Sequence, residues 1–119
     1  QLQSSAASDV YKRQPQEIAL QDVIRGIKMF DKLKVNIIGL IDNMSYFKGD
    51  DGKKYPIFGE GGVKRTAHEF NKKFLGEIPI NPNVGKLGDM GTPIVEKEPD
   101  NEISKIYIEL AKKIKLSYL

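Results

Sequence analysis

Two residues in this chain are of types suited to contacting a nucleobase. Asn43 and Pro79 each stand just beyond a short apolar run, VNIIGLI at 35–41 and FLGEI at 74–78. A side-chain amide has two donors and an acceptor oxygen, and it can pair with both N6 and N7 of adenine. Pro79 followed by Ile80 offers an apolar edge to a flat base. Asparagine and proline also end strands simply by making turns, and the residues alone favour that plainer reading.

Other chemistry-bearing types read as structure. The glycine-rich GEGG at 59–62 precedes a helical pattern and could cradle an anion. It lacks the Lys-Ser/Thr of a phosphate loop, so a tight turn bringing a helix onto a sheet is the simpler role. GDMGT at 88–92 punctuates a loop, with Asp89 available to a partner subunit. His68 has no second histidine or cysteine nearby and reads as an ordinary helix residue. Asp50 and Asp51 are adjacent, which does not aim two carboxylates at one centre, and they read as a solvated turn. The chain has no cysteine, which excludes disulfides, thiolate metal sites and cysteine nucleophiles within it.

The elements that position these residues follow from periodicity and punctuation. Pro15 suits a first helical position, and Leu20, Val23, Ile24, Ile27 and Phe30 form one face of a helix to about residue 33. Gln14 stands where a capping Ser, Thr or Asp is expected. The run 35–41 is rich in β-branched residues and reads as a strand buried on both faces, as in a parallel sheet. A polar hairpin is expected over 48–54, with GDDG as its turn. A helix over 63–72, a strand over 74–78, a short helix from Pro82 to about residue 87 and a final helix over 101–118 follow. Asp100 is expected to cap the last, and Ile103, Ile106, Tyr107, Leu110 and Ile114 make its stripe. The order is α/β.

Composition bounds the class. With 119 residues there is at most one domain; hydrophobic residues at 39% and charged residues at 29% describe an ordinary globular chain. A net charge of +3 without a run of like charges does not suggest nucleic acid. No apolar stretch is long enough to span a membrane, the N-terminus does not resemble a secretory signal, and the expected location is cytoplasmic. Residues 1–14 match no element pattern, and SSAASDVYKRQ resembles a translated sequencing adapter, so the fold is expected in 15–119 alone. Two parallel strands with helices are about half of a doubly wound domain, so an incomplete domain is expected.

In order, PQEIALQDVIRGIKMF, IIGLIDNMSYF, IFGEGG and FLGEIPINPNVGKLGDMGTPIV resemble the C-terminal half of the Mrp (ApbC) family. These are P-loop ATPases of the deviant Walker-A group, related to MinD and ParA, that carry iron–sulfur clusters. The resemblance implies a doubly wound parallel-sheet P-loop NTPase fold and a parent that binds ATP with Mg, hydrolyses it, assembles or carries clusters, forms a homodimer and serves apo iron–sulfur proteins. It implies that Asn43, with Pro79 and Ile80, recognises adenine. No G-x-x-x-x-G-K-S/T occurs here, so the segment alone is not expected to hydrolyse ATP, and no catalytic residue or metal ligand is assigned. Many relatives hold a 4Fe–4S cluster between two subunits through a CxxC pair placed between NMSYF and IFG. Here that interval reads KGDDGKKYP, without sulfur, so this loop is not expected to bridge a cluster. The alternatives are a MinD- or ParA-like partitioning or membrane-cycling ATPase, suggested by lysines 105, 112, 113 and 115 beside the last helix's stripe, and a non-catalytic adaptor of the same fold.

Overall fold

A computed structural model describes residues 15–57 and 59–118. The adapter-like reading of 1–14 and the capping position Gln14 lie outside them. In chain order the elements are α1 (Pro15–Lys32), β1 (Leu40–Asn43), β2 (Phe47–Lys48), β3 (Lys54–Tyr55), α2 (Gly62–Glu69), β4 (Phe74–Ile78), α3 (Pro82–Asp89), α4 (Ile94–Lys97) and α5 (Glu102–Tyr118). β1 and β4 pair in parallel, with Asp42 opposite Glu77 and Asn43 opposite Ile78. β2 and β3 form a separate antiparallel hairpin, Phe47 opposite Tyr55. The fold is thus mixed α/β around a small parallel sheet.

The strand expected over 35–41 is instead Leu40–Asn43. Its ladder opens where its partner begins: the Leu40 N–H donates to the Lys73 carbonyl at 2.8 Å, one residue before β4. Residues 35–39 run past the start of β4 and are not strand. Nor is the run buried on both faces, for Val35 is 48% exposed and Ile38 and Ile41 are each 38% exposed. Phe30, expected on the buried stripe of α1, is 41% exposed, whereas Ile27 on the same stripe is buried.

Three helices end in one way. Lys34, Asn71 and Gly91 each take a left-handed φ, and the next residue's N–H reaches back five positions: Val35 to the Phe30 carbonyl, Lys72 to Ala67, Thr92 to Leu87. This is the Schellman ending, which satisfies carbonyls that a helix end would otherwise leave open. It stops α2 at Glu69 rather than at residue 72.

Packing is densest beside β4. Leu75, Ile78 and Leu110 form one buried cluster, and Leu87, Ile94 and Ile103 form a second, with Tyr107 against both. At Gly76, φ is 154°, and an added Cβ would stand 3.0 Å from Leu110 Cδ2. A side chain there would meet α5 and adopt a backbone conformation that L-residues avoid. The four-residue α4, absent from the sequence expectation, is fastened by Ser104. Its buried hydroxyl donates to the carbonyls of Ile94 at 3.0 Å and Glu98 at 2.7 Å. The cap of α5 is Asn101, not Asp100: Asn101 Oδ1 accepts from the Ile103 N–H at 2.9 Å. Asp100 stands one residue too early to do so.

Candidate functional site

Parallel sheets bind ligands beyond the carboxyl ends of their strands, and here both strand ends meet at one hollow. Asn43, the last residue of β1, and Pro79 and Ile80, just past β4, line a cavity of about 310 Å³, with Met44, Val84 and Tyr107 among the other walls. The three residues expected to act together are therefore neighbours in space. Pro79 is buried, Ile80 is half-buried and Asn43 is exposed.

The turn that carries Asn43 is tightly specified. Asn43 Oδ1 accepts from the Met44 N–H at 3.0 Å, and Met44 takes a left-handed φ of 55°. The amide oxygen keeps a second lone pair and the amide nitrogen keeps both donors, so the pairing edge remains available. The chain then returns to β4. The Ser45 N–H donates to the Ile78 carbonyl at 2.9 Å, and the Ile80 N–H donates to the Tyr46 carbonyl at 2.7 Å. Tyr46 is buried, and Lys54 Nζ lies 4.6 Å from its ring centroid. Beyond β4, Asn81 Oδ1 accepts from the Asn83 N–H at 2.9 Å, with Pro82 in the first turn of α3.

A larger hollow of about 490 Å³ meets Asn43 from the α1 side, between Leu20, Val23, Met44 and the GEGG turn, but touches neither Pro79 nor Ile80. The smaller cavity gathers all three candidates and is the candidate site. The GEGG segment is a tight turn: Gly59 and Gly61 have positive φ, and a Cβ at Gly62 would lie 2.7 Å from Leu20 Cδ1. Arg65 Nη1 donates to the Glu60 carbonyl across that turn at 2.9 Å.

Sequence reasoning missed the polar group beneath the turn. Ser45 Oγ lies 3.2 Å from Asp42 Oδ2 and 3.0 Å from Glu77 Oε2. Burial raises the Asp42 pKa; the Ser45 hydrogen bond opposes this and the nearby Glu77 charge adds to it. Two carboxylates within apolar strand segments were a visible signal, but their meeting depends on the register of two segments far apart in the chain. His68 is exposed on α2, and Asp89 is exposed at the end of α3. Asp50 and Asp51 sit in the hairpin turn; Asp51 Oδ1 accepts from the Lys53 N–H at 2.9 Å and Oδ2 accepts from the Tyr55 hydroxyl at 2.5 Å.

The ParA family model, described as NUBPL iron-transfer P-loop NTPase, matches residues 3–115. The chain belongs to this family. It is 42% identical over 99 residues to an iron-sulfur cluster carrier protein of Aquifex aeolicus, covering 82% of this chain and 27% of that one. The iron-sulfur cluster transfer protein NUBPL of Dictyostelium discoideum is 42% identical over 101 residues, covering 84% of this chain and 31% of that one. An iron-sulfur cluster carrier protein of Escherichia coli is 38% identical over 101 residues, at 84% and 27% coverage. The chain thus spans roughly a third or less of the curated relatives it matches.

Family membership raises the question of the cluster, and the donor set answers for these residues. Iron–sulfur clusters are held by thiolates, and no cysteine occurs in the chain. Among the described residues no three of His, Cys, Asp or Glu converge to hold a metal ion. The hairpin presents Lys48, Asp50, Asp51, Lys53 and Lys54; carboxylates and ammonium groups are not soft ligands. This segment does not fit the cluster. No helix among the described residues is long and apolar enough to cross a membrane.

Proposed function

We propose that this chain is the adenine-facing, C-terminal portion of an ATP-dependent iron–sulfur cluster carrier. The observation that carries the reading is the convergence of Asn43, Pro79 and Ile80 on one cavity at the ends of two parallel strands. In it, the Asn43 amide donates to N7 of adenine and accepts from N6, while Pro79 and Ile80 line the base with apolar surface. The parent is a doubly wound Mrp-type P-loop domain whose phosphate loop, with the Mg that accompanies ATP, lies outside this segment. It is a cytoplasmic homodimer and hydrolase whose cargo passes to apo iron–sulfur proteins. The names of the relatives support the carrier role; the donor set here supports neither a 4Fe–4S cluster on this hairpin nor a role for it in holding cargo.

The membrane-cycling alternative loses its footing. The apolar stripe of α5 is spent on packing, with Ile103 and Leu110 buried against the two core clusters. One of its lysines has work in the fold as well: Lys113 Nζ donates to the Leu75 carbonyl at 2.9 Å.

The test uses the complete protein that carries this segment. Asn43→Ala should weaken ATP by about 1–3 kcal/mol, the range for a good bidentate contact to a base. GTP should lose far less, because guanine presents an acceptor at O6 where adenine presents the N6 donor. Calorimetric titration showing equal losses for both nucleotides, or none, refutes the adenine assignment and returns Asn43 to the role of a turn residue.

A further inference from the structure

The turn that aims Asn43 is held from below by one hydroxyl. Ser45 Oγ reaches Asp42 Oδ2 on β1 and Glu77 Oε2 on β4, two residues that face each other across the parallel ladder. The Ser45 N–H, bonded to the Ile78 carbonyl, extends the ladder one step beyond β1. Side chain and backbone of one residue thus tie both strand ends together on either side of Met44, whose left-handed φ the turn requires. Without that tie, relaxation of Met44 toward the commoner right-handed region would swing Asn43 away from Pro79.

We propose that Ser45, bridging Asp42 and Glu77, is a proton-dependent positioning latch that sets the Asn43 turn and with it the preference for adenine. It rests on the adenine reading for its consequence, but not for its geometry. A hydroxyl carries one proton. With both carboxylates ionised, that proton is divided between two acceptors that repel each other. A proton from solvent on Asp42 allows Asp42 to donate to Ser45 Oγ while Ser45 donates to Glu77, giving two full hydrogen bonds.

The charged neighbours neither pair with these carboxylates nor replace the proton. Glu60 and Arg65 share the larger hollow with Asp42, and Arg65 is engaged with a carbonyl. Glu102, Lys105, Glu109 and Lys113 of α5 share a hollow with Glu77; Glu102 is paired with Lys48 at 3.0 Å and Lys113 caps Leu75. Asp42 holds its proton above the ordinary 3.8 because burial disfavours its charge. The closed latch is therefore favoured in acid and is lost as pH rises through the Asp42 pKa of the folded state.

Two measurements test this. Hydrogen exchange on the chain itself, without nucleotide, should show the amides of Met44, Ser45 and Ile80 exchanging roughly tenfold faster in Ser45→Ala, with α5 unchanged; Ser45→Thr, which keeps the hydroxyl, should restore protection. In the complete protein, Ser45→Ala should lower the ATP-over-GTP affinity ratio about fivefold, the scale of one hydrogen bond. In the unaltered protein the ratio should rise as pH falls toward the Asp42 pKa of the folded state, a comparison in which triphosphate ionisation cancels. Asp42→Asn, whose amide supplies the second proton permanently, should hold the ratio at its acid value throughout. Unchanged exchange in Ser45→Ala overturns the latch. So does an unchanged ratio when Asn43→Ala lowers it. If Asn43→Ala itself leaves the ratio intact, the adenine reading falls, and the latch stands or falls on the exchange data alone.

Discussion

The two strands of the small sheet are finished in opposite ways. β4 is covered: α5 lies along it, Leu75 and Ile78 are buried against Leu110, and Lys113 caps the Leu75 carbonyl. β1 has no second strand neighbour among the described residues, and its Ile41 is exposed, as are Met29, Phe30, Leu33 and Val35 in the chain leading to it. Single exposed apolar residues are ordinary, but a strand that lacks a second neighbour and exposes an apolar side chain is an edge open to further pairing. The proposed doubly wound parent gives β1 that neighbour. What holds the covered side is burial, whereas the β2–β3 hairpin carries polar ties such as Lys48 to Glu102 and Tyr55 to Asp51.

The sharpest way to break this contrast is to truncate one apolar side chain on each side. Leu110→Ala should cost about 2–5 kcal/mol in denaturant unfolding, the range for a buried leucine that leaves a cavity. Ile41→Ala, already partly in water, should cost less than about 1 kcal/mol in this chain. In the complete protein the Ile41→Ala loss should rise toward the Leu110→Ala value. An Ile41→Ala cost that stays small there would show that β1 acquires no apolar neighbour.

A smaller effect is expected at the covered edge of β4. Lys113→Met keeps the aliphatic stem over the strand but removes the bond to the Leu75 carbonyl. The loss should be about 1 kcal/mol in thermal or denaturant unfolding. A loss below the resolution of the melt would mean that water satisfies the carbonyl equally well, and that only burial closes this edge.

The same contrast explains what was legible in the sequence. Phe74–Ile78 was placed correctly because Pro79 ends it and its buried residues, Leu75 and Ile78, pack within the chain. The α5 stripe was legible for the same reason: Ile103, Ile106, Tyr107, Leu110 and Ile114 repeat at helical spacing and face a core within the chain. β1 was misplaced because VNIIGLI is apolar throughout. Nothing in the run says where the ladder opens; Lys73 and Phe74, on the other strand, decide that. Four residues of α4 are too few for periodicity to show. For the site, Asn43, Pro79 and Ile80 were named from the family resemblance, since their types alone favour turns, and the structure brings the three to one cavity. Ser45, Asp42 and Glu77 could not be named, since their meeting requires the register of two distant segments.

The smallest effect is expected in the hairpin, whose polar ties can be tested singly. The Tyr55 hydroxyl bonded to Asp51 is the largest cause of the lowered Asp51 pKa, followed by the Lys53 N–H; the same bond raises the Tyr55 pKa. A carboxyl that binds its proton less tightly folded than unfolded adds stability above its unfolded value. That contribution is lost as pH falls from 3.8 through the lower pKa of the folded state. Tyr55→Phe should therefore move the Asp51 carboxyl titration, followed by carbon NMR, back toward 3.8, while the Lys53 N–H keeps part of the depression. The β2–β3 pairing should survive, because the ring left by the substitution still faces Phe47 and aromatic cross-strand pairs stabilise hairpins. If the titration does not move, the hydroxyl contact is not populated in solution, and the hairpin is held by its aromatic pairing and backbone turn rather than by this polar tie.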